Sequence, residues 1–205
     1  MRKNVLLIGG SSAIGRKVGS LMEENYYVHY ADSRILPLPS ARNVFFDATL
    51  FDVIINLAGI FSEGKLSEYN LLTKKLIDVN CLGAVNILAE FLPKMNKGGR
   101  IILFSSVYSA INVPGMGVYS ASKAFVDKLV KIAALENPDI TVNSIQLGYT
   151  GIGMGASTPK NMAKAKGKTT KKRFVTIEEI YNTIEYIINT DYLTGQNIRL
   201  DGGIR

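Results

Sequence analysis

Residues 4–15 read NVLLIGGSSAIG. The first five form a short apolar run, Gly9 to Gly15 is a turn rich in glycine and serine, and Ile14, Val18, Leu21 and Met22 then recur at helical spacing. The segment therefore reads as strand, turn, helix. Free backbone N–H groups at a helix N-terminus bind a pyrophosphate, and glycines let the backbone approach it. Gly9 would permit the sharp turn and Gly15 the close packing of helix on sheet, with Ser11, Ser12, Ala13 and Ile14 lining the loop between them. The same pattern also suits an ordinary strand–helix turn.

Moving outward, apolar runs at Tyr27–Ala31, Asn43–Phe46, Phe51–Leu57, Arg100–Phe104, Thr141–Leu147 and Gln196–Leu200 read as further strands. Leu66 to Met95 reads as two helices, or one with a joint near Asn80. Tyr119 to Glu136 reads as a helix ended by Asn137-Pro138, and Thr176 with Glu179 as the capping box of another. Strands alternating with helices imply an α/β fold, a Rossmann-like doubly wound parallel sheet in three layers, with residues 1–205 as one domain. One corner breaks the pattern. The link between the second and third strands holds Pro37 and Pro39, and only Asp47 to Leu50 precede Phe51, too few for a parallel crossover. The region around strands 2–4 is expected to be shortened, with part of one sheet face uncovered or covered by another subunit.

Asp32 ends the second strand, 17 residues after Gly15, a spacing that suits the 2′-hydroxyl of an adenosine ribose. Ser33 and Arg34 follow, and an arginine there could receive the 2′-phosphate of NADP. Asp32 would repel that phosphate, which favours NAD. Asp47 could contact adenine or simply form a turn, and the others could be a solvated strand end.

Hydrophobic residues make up 47% of the 205 and charged residues 20%, ample for one core. No apolar run approaches a membrane span, the N-terminal run is too short for a secretory signal, and the lone Cys81 excludes an intramolecular disulfide, so the cytoplasm is the expected compartment. The formal charge of +7 is local. Lys160, Lys164, Lys166, Lys168, Lys171, Lys172 and Arg173 fall in an acid-free stretch, and without them 17 basic residues face 17 acidic ones. His29, the only histidine, has no partner set for a metal.

Tyr119 and Lys123 stand at i and i+4, on one face of a helix. Ser105-Ser106 ends a strand thirteen residues earlier, where a hydroxyl could converge on the same point. Hydride arriving at a carbonyl leaves negative charge on oxygen, which a proton donor and a second hydrogen-bond donor must meet. A free phenol, with a pKa of about 10, is a poor base near neutrality, and a neighbouring ammonium favours its ionised form. A surface Tyr–Lys pair with no chemistry would show the same spacing.

Taken together and in order, these residues resemble the short-chain dehydrogenase/reductase family over nearly the whole chain. Gly9–Gly15 resembles its cofactor loop, Asn56-Leu57-Ala58-Gly59 its Asn-Asn-Ala-Gly motif, Leu147-Gly148 its Pro-Gly turn, and Thr194–Gly203 its C-terminal strand and tail. Asn80, Ser106, Tyr119 and Lys123 match its catalytic set. The resemblance implies an oxidoreductase moving a hydride between NAD or NADP and a small carbonyl or alcohol. Tyr119 would exchange the proton with substrate oxygen, Ser106 would hydrogen-bond that oxygen, and Lys123 would hold the nicotinamide ribose and tune Tyr119. Asn80 would anchor a water relay, Asn56, Ala58 and Gly59 would line the adenosine–ribose side, and Gly148 would lie beside the nicotinamide. It also implies a homodimer or homotetramer packed through the helices around Asn80–Met95 and Tyr119–Glu136. The chain departs from the family at Ala13, where glycine is usual and a negative φ is needed. It also departs at Ile8, Leu57 and Leu147, and in lacking a helix after the third strand.

The basic stretch follows Gly148, where the family carries its substrate loop. It reads as a lid attracting an anionic substrate, or as a solvated flexible loop. It carries no interleaved aromatic platform for nucleic acid. Two other readings stay open: a non-catalytic dinucleotide-binding regulator or scaffold, and a 3-oxoacyl-carrier-protein-type reductase.

Overall fold

A computed structural model of the chain describes residues 2–31, 50–68, 70–155 and 159–204. Its strands are β1 (Asn4–Ile8), β2 (Tyr27–Ala31), β3 (Phe51–Asn56), β4 (Met95–Ser106), β5 (Thr141–Leu147) and β6 (Asn197–Leu200), all parallel in the order β2-β1-β3-β4-β5-β6. The helices are α1 (Ala13–Met22), α2 (Leu71–Ile77), α3 (Gly83–Phe91), α4 (Gly117–Glu136), α5 (Pro159–Lys168) and α6 (Ile177–Ile188). The α/β class and the doubly wound sheet expected from the sequence are what the molecule shows.

Successive strand residues point to opposite faces, so an unbroken apolar strand needs cover on both sides. In β1, Leu6 and Ile8 join one core layer with Ala84, Ile87 and Phe91 of α3 and Val126 and Val130 of α4. Val5 and Leu7 join the other with Val18 and Met22 of α1 and Ile180, Ile184, Ile187 and Ile188 of α6. The capping box at α6 is present: Glu179 N–H donates to Thr176 Oγ1 (3.2 Å) and Thr176 N–H to Glu179 Oε2 (2.9 Å).

The sheet has its switch point between β1 and β3. From β1 the chain leaves through α1 to β2 on one side, while β3 and then β4 lie on the other. Ligands of open α/β sheets bind in the crevice beyond the strand ends at such a point. Ile8, Asn56 and Leu103 are register partners there.

Several sequence expectations need correction. The first helix of the Leu66–Met95 region begins at Leu71, because Asn70 caps it through Oδ1, which accepts from Leu72 N (2.9 Å) and Thr73 N (3.1 Å). The joint near Asn80 is a π-helical turn, Asp78–Leu82, inside a continuous helical run. That run tightens at Leu92–Lys94, with Pro93 inside the last turn, and β4 starts at once at Met95. By length and composition Leu71–Lys94 could cross a membrane, which the broken apolar pattern concealed. Here it is a core helix, with Leu76, Ala84, Ile87 and Phe91 buried in the protein. The basic stretch is not an irregular loop, since α5 forms its first part. The expected strand Asn43–Phe46, its shortened corner, and Asp32, Ser33, Arg34 and Asp47 lie outside the described residues.

Phe91 is fully buried and meets Phe51 edge to face at 6.1 Å between ring centroids. Phe91→Ala should lower unfolding stability by about 3–5 kcal/mol, measured by urea titration, with a loss under about 1 kcal/mol contradicting this packing.

Candidate active site

The glycine loop is built as its residues require. Gly9 has φ +79°, and its N–H donates to the Ala31 carbonyl at 2.8 Å, tying β1 to β2. A Cβ there would sit 2.8 Å from Ala58 N, so no other residue fits. Gly15 lies where a Cβ would run into the Gly9 carbonyl. Ser12 caps α1, its Oγ accepting from Gly15 N at 3.0 Å. Ala13 opens α1 with helical backbone and Ile14 follows it, so the methyl in place of the family glycine carries no strain. The Arg16 guanidinium donates to the Ser11 carbonyl. Beside them is a cleft of about 400 Å³ bordered by Gly10, Ser11, Arg16, Ser20, Glu23 and Tyr30. Tyr30 donates its hydroxyl to Glu23 at 2.6 Å, and burial followed by that contact pushes its phenol up to about 12.

Across the crevice, Asn56 ends β3 and its Oδ1 accepts from Ala58 N at 2.9 Å, while Leu57 N–H donates to Ile8 O at 2.9 Å. These bonds hold Ala58 and Gly59 against the loop. The replacement of the family's second asparagine by Leu57 places an apolar side chain against the α1/α6 layer.

The π turn aims Asn80 inward. Its Oδ1 accepts from Ile60 N (2.8 Å), and its Nδ2 donates to Ile60 O (2.9 Å) and to Ser122 Oγ (3.1 Å). Inserted turns of this kind recur at functional sites because they re-aim one side chain without ending a helix. Ser122 in turn donates to the Tyr119 carbonyl at 2.7 Å. A Cβ on Gly59 would stand 3.2 Å from Lys123 Nζ and 3.3 Å from Asn80 Oδ1, so the Ala58–Gly59 backbone covers both groups.

Ser106, Tyr119 and Lys123 converge. Lys123 Nζ donates to the Phe104 carbonyl of β4 at 2.9 Å and lies 6.0 Å from the Tyr119 ring centroid. Ser105 Oγ donates to the Lys123 carbonyl at 3.1 Å. Ser106 Oγ accepts from Tyr108 N at 3.3 Å. Burial pushes the Lys123 ammonium down to about 8, against the Asp127 carboxylate and Cys81, which raise it. Burial also pushes the Tyr119 phenol up, and the Ser106 side chain opposes this. That direction differs from the lowering expected of a phenol beside an ammonium. The physical reason is that the phenol is 7% exposed, and desolvation disfavours its anion more than its neighbours favour it.

Beyond β5, Gly148 N–H donates to Leu200 O at 2.9 Å and sets the direction of the next residues. Tyr149 and Tyr108 share a hydroxyl–hydroxyl hydrogen bond of 3.0 Å. Tyr108 meets the Tyr119 ring edge-on at 6.1 Å, and Phe61 meets it at 5.1 Å. Sequence reasoning missed Phe61, Tyr108 and Tyr149. Their signal was position: each follows a motif residue (Gly59, Ser106, Gly148) by one or two places. The chain then crosses to the glycine loop, where a Cβ on Gly153 would lie 3.9 Å from Ala13 Cβ.

Several groups of the basic stretch are engaged by neighbouring parts of the chain. Lys166 lies over the Phe174 ring at 5.1 Å, Lys172 Nζ donates to Gly167 O at 2.7 Å, and Arg173 makes two bonds to Glu179, of 2.7 and 2.6 Å. Thr170 and Lys171 N–H groups donate to the Gly203 and Gly202 carbonyls of the tail, each at 3.1 Å. Among the described residues no cluster of His, Cys, Asp and Glu could hold a metal.

Comparison with known proteins agrees with this architecture. The family described as Enoyl-(Acyl carrier protein) reductase matches residues 43–205. The 3-oxoacyl-[acyl-carrier-protein] reductase FabG of Staphylococcus epidermidis is 28% identical over 100% of this chain and 99% of that one. The enzyme of the same description from Staphylococcus aureus is 29% identical over 100% and 98%. A small-chain dehydrogenase solved in complex with NADPH is 26% identical, with a TM-score of 0.89 over 99% of this chain and 98% of that one. Sheet order, glycine loop, the Ser106–Tyr119–Lys123 convergence and these matches lead to one assignment: the chain belongs to the short-chain dehydrogenase/reductase family, oxidoreductases that use NAD(P) to interconvert carbonyl and CH–OH groups.

Proposed function

We propose that the chain is one cytoplasmic NADP-dependent domain that reduces a neutral, apolar ketone, with Tyr119 as the proton donor. The observation that carries this is the buried Ser106–Tyr119–Lys123 group facing an aromatic wall. The residues fit a dinucleotide: Gly9 and Gly15 leave no room for a Cβ, and the cleft beside Ser11 and Arg16 continues the crevice. When bound, the cofactor supplies the hydride. The chain's own groups do the rest. A phenol held above its ordinary pKa is protonated at neutral pH and has a proton to give the substrate oxygen. The Ser106 hydroxyl stands beside it to hydrogen-bond that oxygen. Lys123 reaches toward the ribose side beneath Gly59. Asn80 fixes Ile60 through two bonds and keeps one Oδ1 lone pair for a water.

NADP is chosen over the NAD that Asp32 suggested, because Arg16 borders the cleft and the related dehydrogenase was solved with NADPH. The buried, free Cys81 suits a reducing compartment. NADPH should bind at least about tenfold more tightly than NADH, and Tyr119→Phe should keep that binding while losing about 10²–10⁴ in turnover. Equal binding of the two nucleotides removes the coenzyme assignment. Full activity of Tyr119→Phe removes the proton-donor role, and binding without turnover on any carbonyl returns the chain to a regulator.

For the substrate, Phe61, Tyr108 and Tyr149 offer ring edges and faces. Lys166, Lys172 and Arg173 are already engaged elsewhere. An anionic substrate, one of the sequence expectations, therefore fits this pocket poorly. A second reading keeps a specific support: Lys164, Lys168 and Lys171 are exposed, and relatives named as 3-oxoacyl-[acyl-carrier-protein] reductases share the whole chain length. Tyr149→Ala should raise KM for a bicyclic aryl ketone about tenfold with little change in kcat. Faster turnover of a 3-oxoacyl thioester on its carrier than of any free ketone, unaffected by Tyr149→Ala, would select the second reading.

A homodimer or homotetramer is supported by apolar side chains left exposed on neighbouring helices, among them Leu82 and Val85 of the Leu71–Lys94 run and Phe125, Ile132 and Leu135 of α4. Light scattering should return at least twice the 22.4 kDa chain mass, and a monomer at micromolar concentration would refute the assembly.

A further inference from the structure

One buried group near the site has no part in the chemistry described above. Asp127 lies on α4, one turn beyond Lys123 and on the same face. Its side chain faces β5, where Gln146 Nε2 donates to Oδ2 at 2.7 Å and Ser144 Oγ lies 2.9 Å from Oδ1 and also 2.9 Å from Asn197 Oδ1, with one proton to give to either. Gln146 is itself braced, donating also to Ser109 Oγ at 3.0 Å. Asp127 is 7% exposed and makes no ion pair within contact distance among the described residues. A buried carboxylate normally needs both hydrogen bonds and a compensating charge. The hydrogen bonds come from β5. The buried charge nearest along the helix is Lys123, one turn back on the same face and itself 5% exposed.

We propose that Asp127 is a positioning residue: its carboxylate, anchored by Ser144 and Gln146 of β5, keeps the Lys123 ammonium charged and seated against the Phe104 carbonyl. This rests on the proposed role of Lys123 at the cofactor ribose. The titratable groups that face Lys123 are Asp127 and Tyr119 from its own helix and Cys81 from the π turn. From β4, among the described residues, its ammonium meets the Phe104 carbonyl and its own carbonyl accepts from Ser105 Oγ. Burial drives the ammonium toward neutrality, and of the groups that oppose it Asp127 has the largest effect. A lysine whose folded pKa lies near 8 loses its charge as pH rises through that value, so any function of the charge has an alkaline limb there. Removing the carboxylate moves the limb toward lower pH.

The test compares the full-length wild type, Asp127→Asn and Asp127→Glu across a pH series spanning neutrality, reading both kcat/KM and NADPH affinity. Asn preserves shape: Gln146 can still donate to its oxygen, and the Ser144 hydroxyl can turn to accept from its amide. The alkaline limb of Asp127→Asn should move down by about one pH unit in both readouts, and that of Asp127→Glu should stay with the wild type. Superimposable limbs for Asp127→Asn and wild type overturn the proposal. A wild type that neither binds NADPH nor turns over is a different failure, that of the Lys123 assignment itself. If Asp127→Asn does not fold, the double variant Asp127→Asn with Lys123→Met decides. A regained fold shows that the lost function was charge compensation, and a chain that stays unfolded shows that the bonds to β5 were the whole role and removes the proposal.

Discussion

Lys123 donates from a side chain that is 5% exposed to a main-chain carbonyl of the neighbouring strand. Taking an ammonium that far from water is unfavourable unless polar partners replace the solvent. Those partners must sit at fixed heights. The Phe104 carbonyl is near the end of β4, the Ser105 hydroxyl holds the Lys123 carbonyl, and Asp127 lies a turn below. Together they fix both the rotation and the level of α4 on the sheet. Tyr119, one turn above Lys123 on the same helix, then has its ring position set relative to Ser106 with no freedom to slide.

The apolar layers supply the frame in which such a placement holds. Period-two alternation divides the side chains of β1, β3 and β4 between the α3/α4 layer and the α1/α6 layer. Neither layer can shift without opening the other. The polar groups cluster where the strands end, because there the ladder runs out and backbone groups need other partners. Asn56 and Asn80 meet that need by bonding to Ala58 N and to both polar atoms of Ile60, and these bonds place the Ala58–Gly59 backbone over Lys123.

The loop after β5 ties the two halves of the crevice together. Tyr149 is bonded to Tyr108 on the substrate side, and Gly153 approaches Ala13 on the loop side. The basic stretch follows in the sequence. α5, the Phe174 ring and the tail carbonyls of Gly202 and Gly203 hold it as ordered structure. Lys166, Lys172 and Arg173 have their partners within this stretch and its anchors.

The sequence alone determined the parallel α/β class, the strand–glycine turn–helix unit, the α6 capping box and the pairing of Tyr119 with Lys123 on one helix face. Each of these is written in local spacing, and local spacing survives in a one-dimensional text. It also misjudged features that spacing does not carry. Helix starts depend on which Asn or Ser finds an orphan N–H, so apolar spacing alone carries the helix back to Leu66, whereas Asn70 caps it at Leu71. The basic run looked unstructured because its anchors, Phe174, Glu179 and the Gly202–Gly203 carbonyls, come later in the chain. Only the tertiary structure decided the direction of the Tyr119 shift, the aromatic wall of Phe61, Tyr108 and Tyr149, and the line from Lys123 to Asp127 to β5. Burial and hydrogen bonding between residues distant in sequence are properties of the packed molecule, and they set how a phenol or an ammonium behaves.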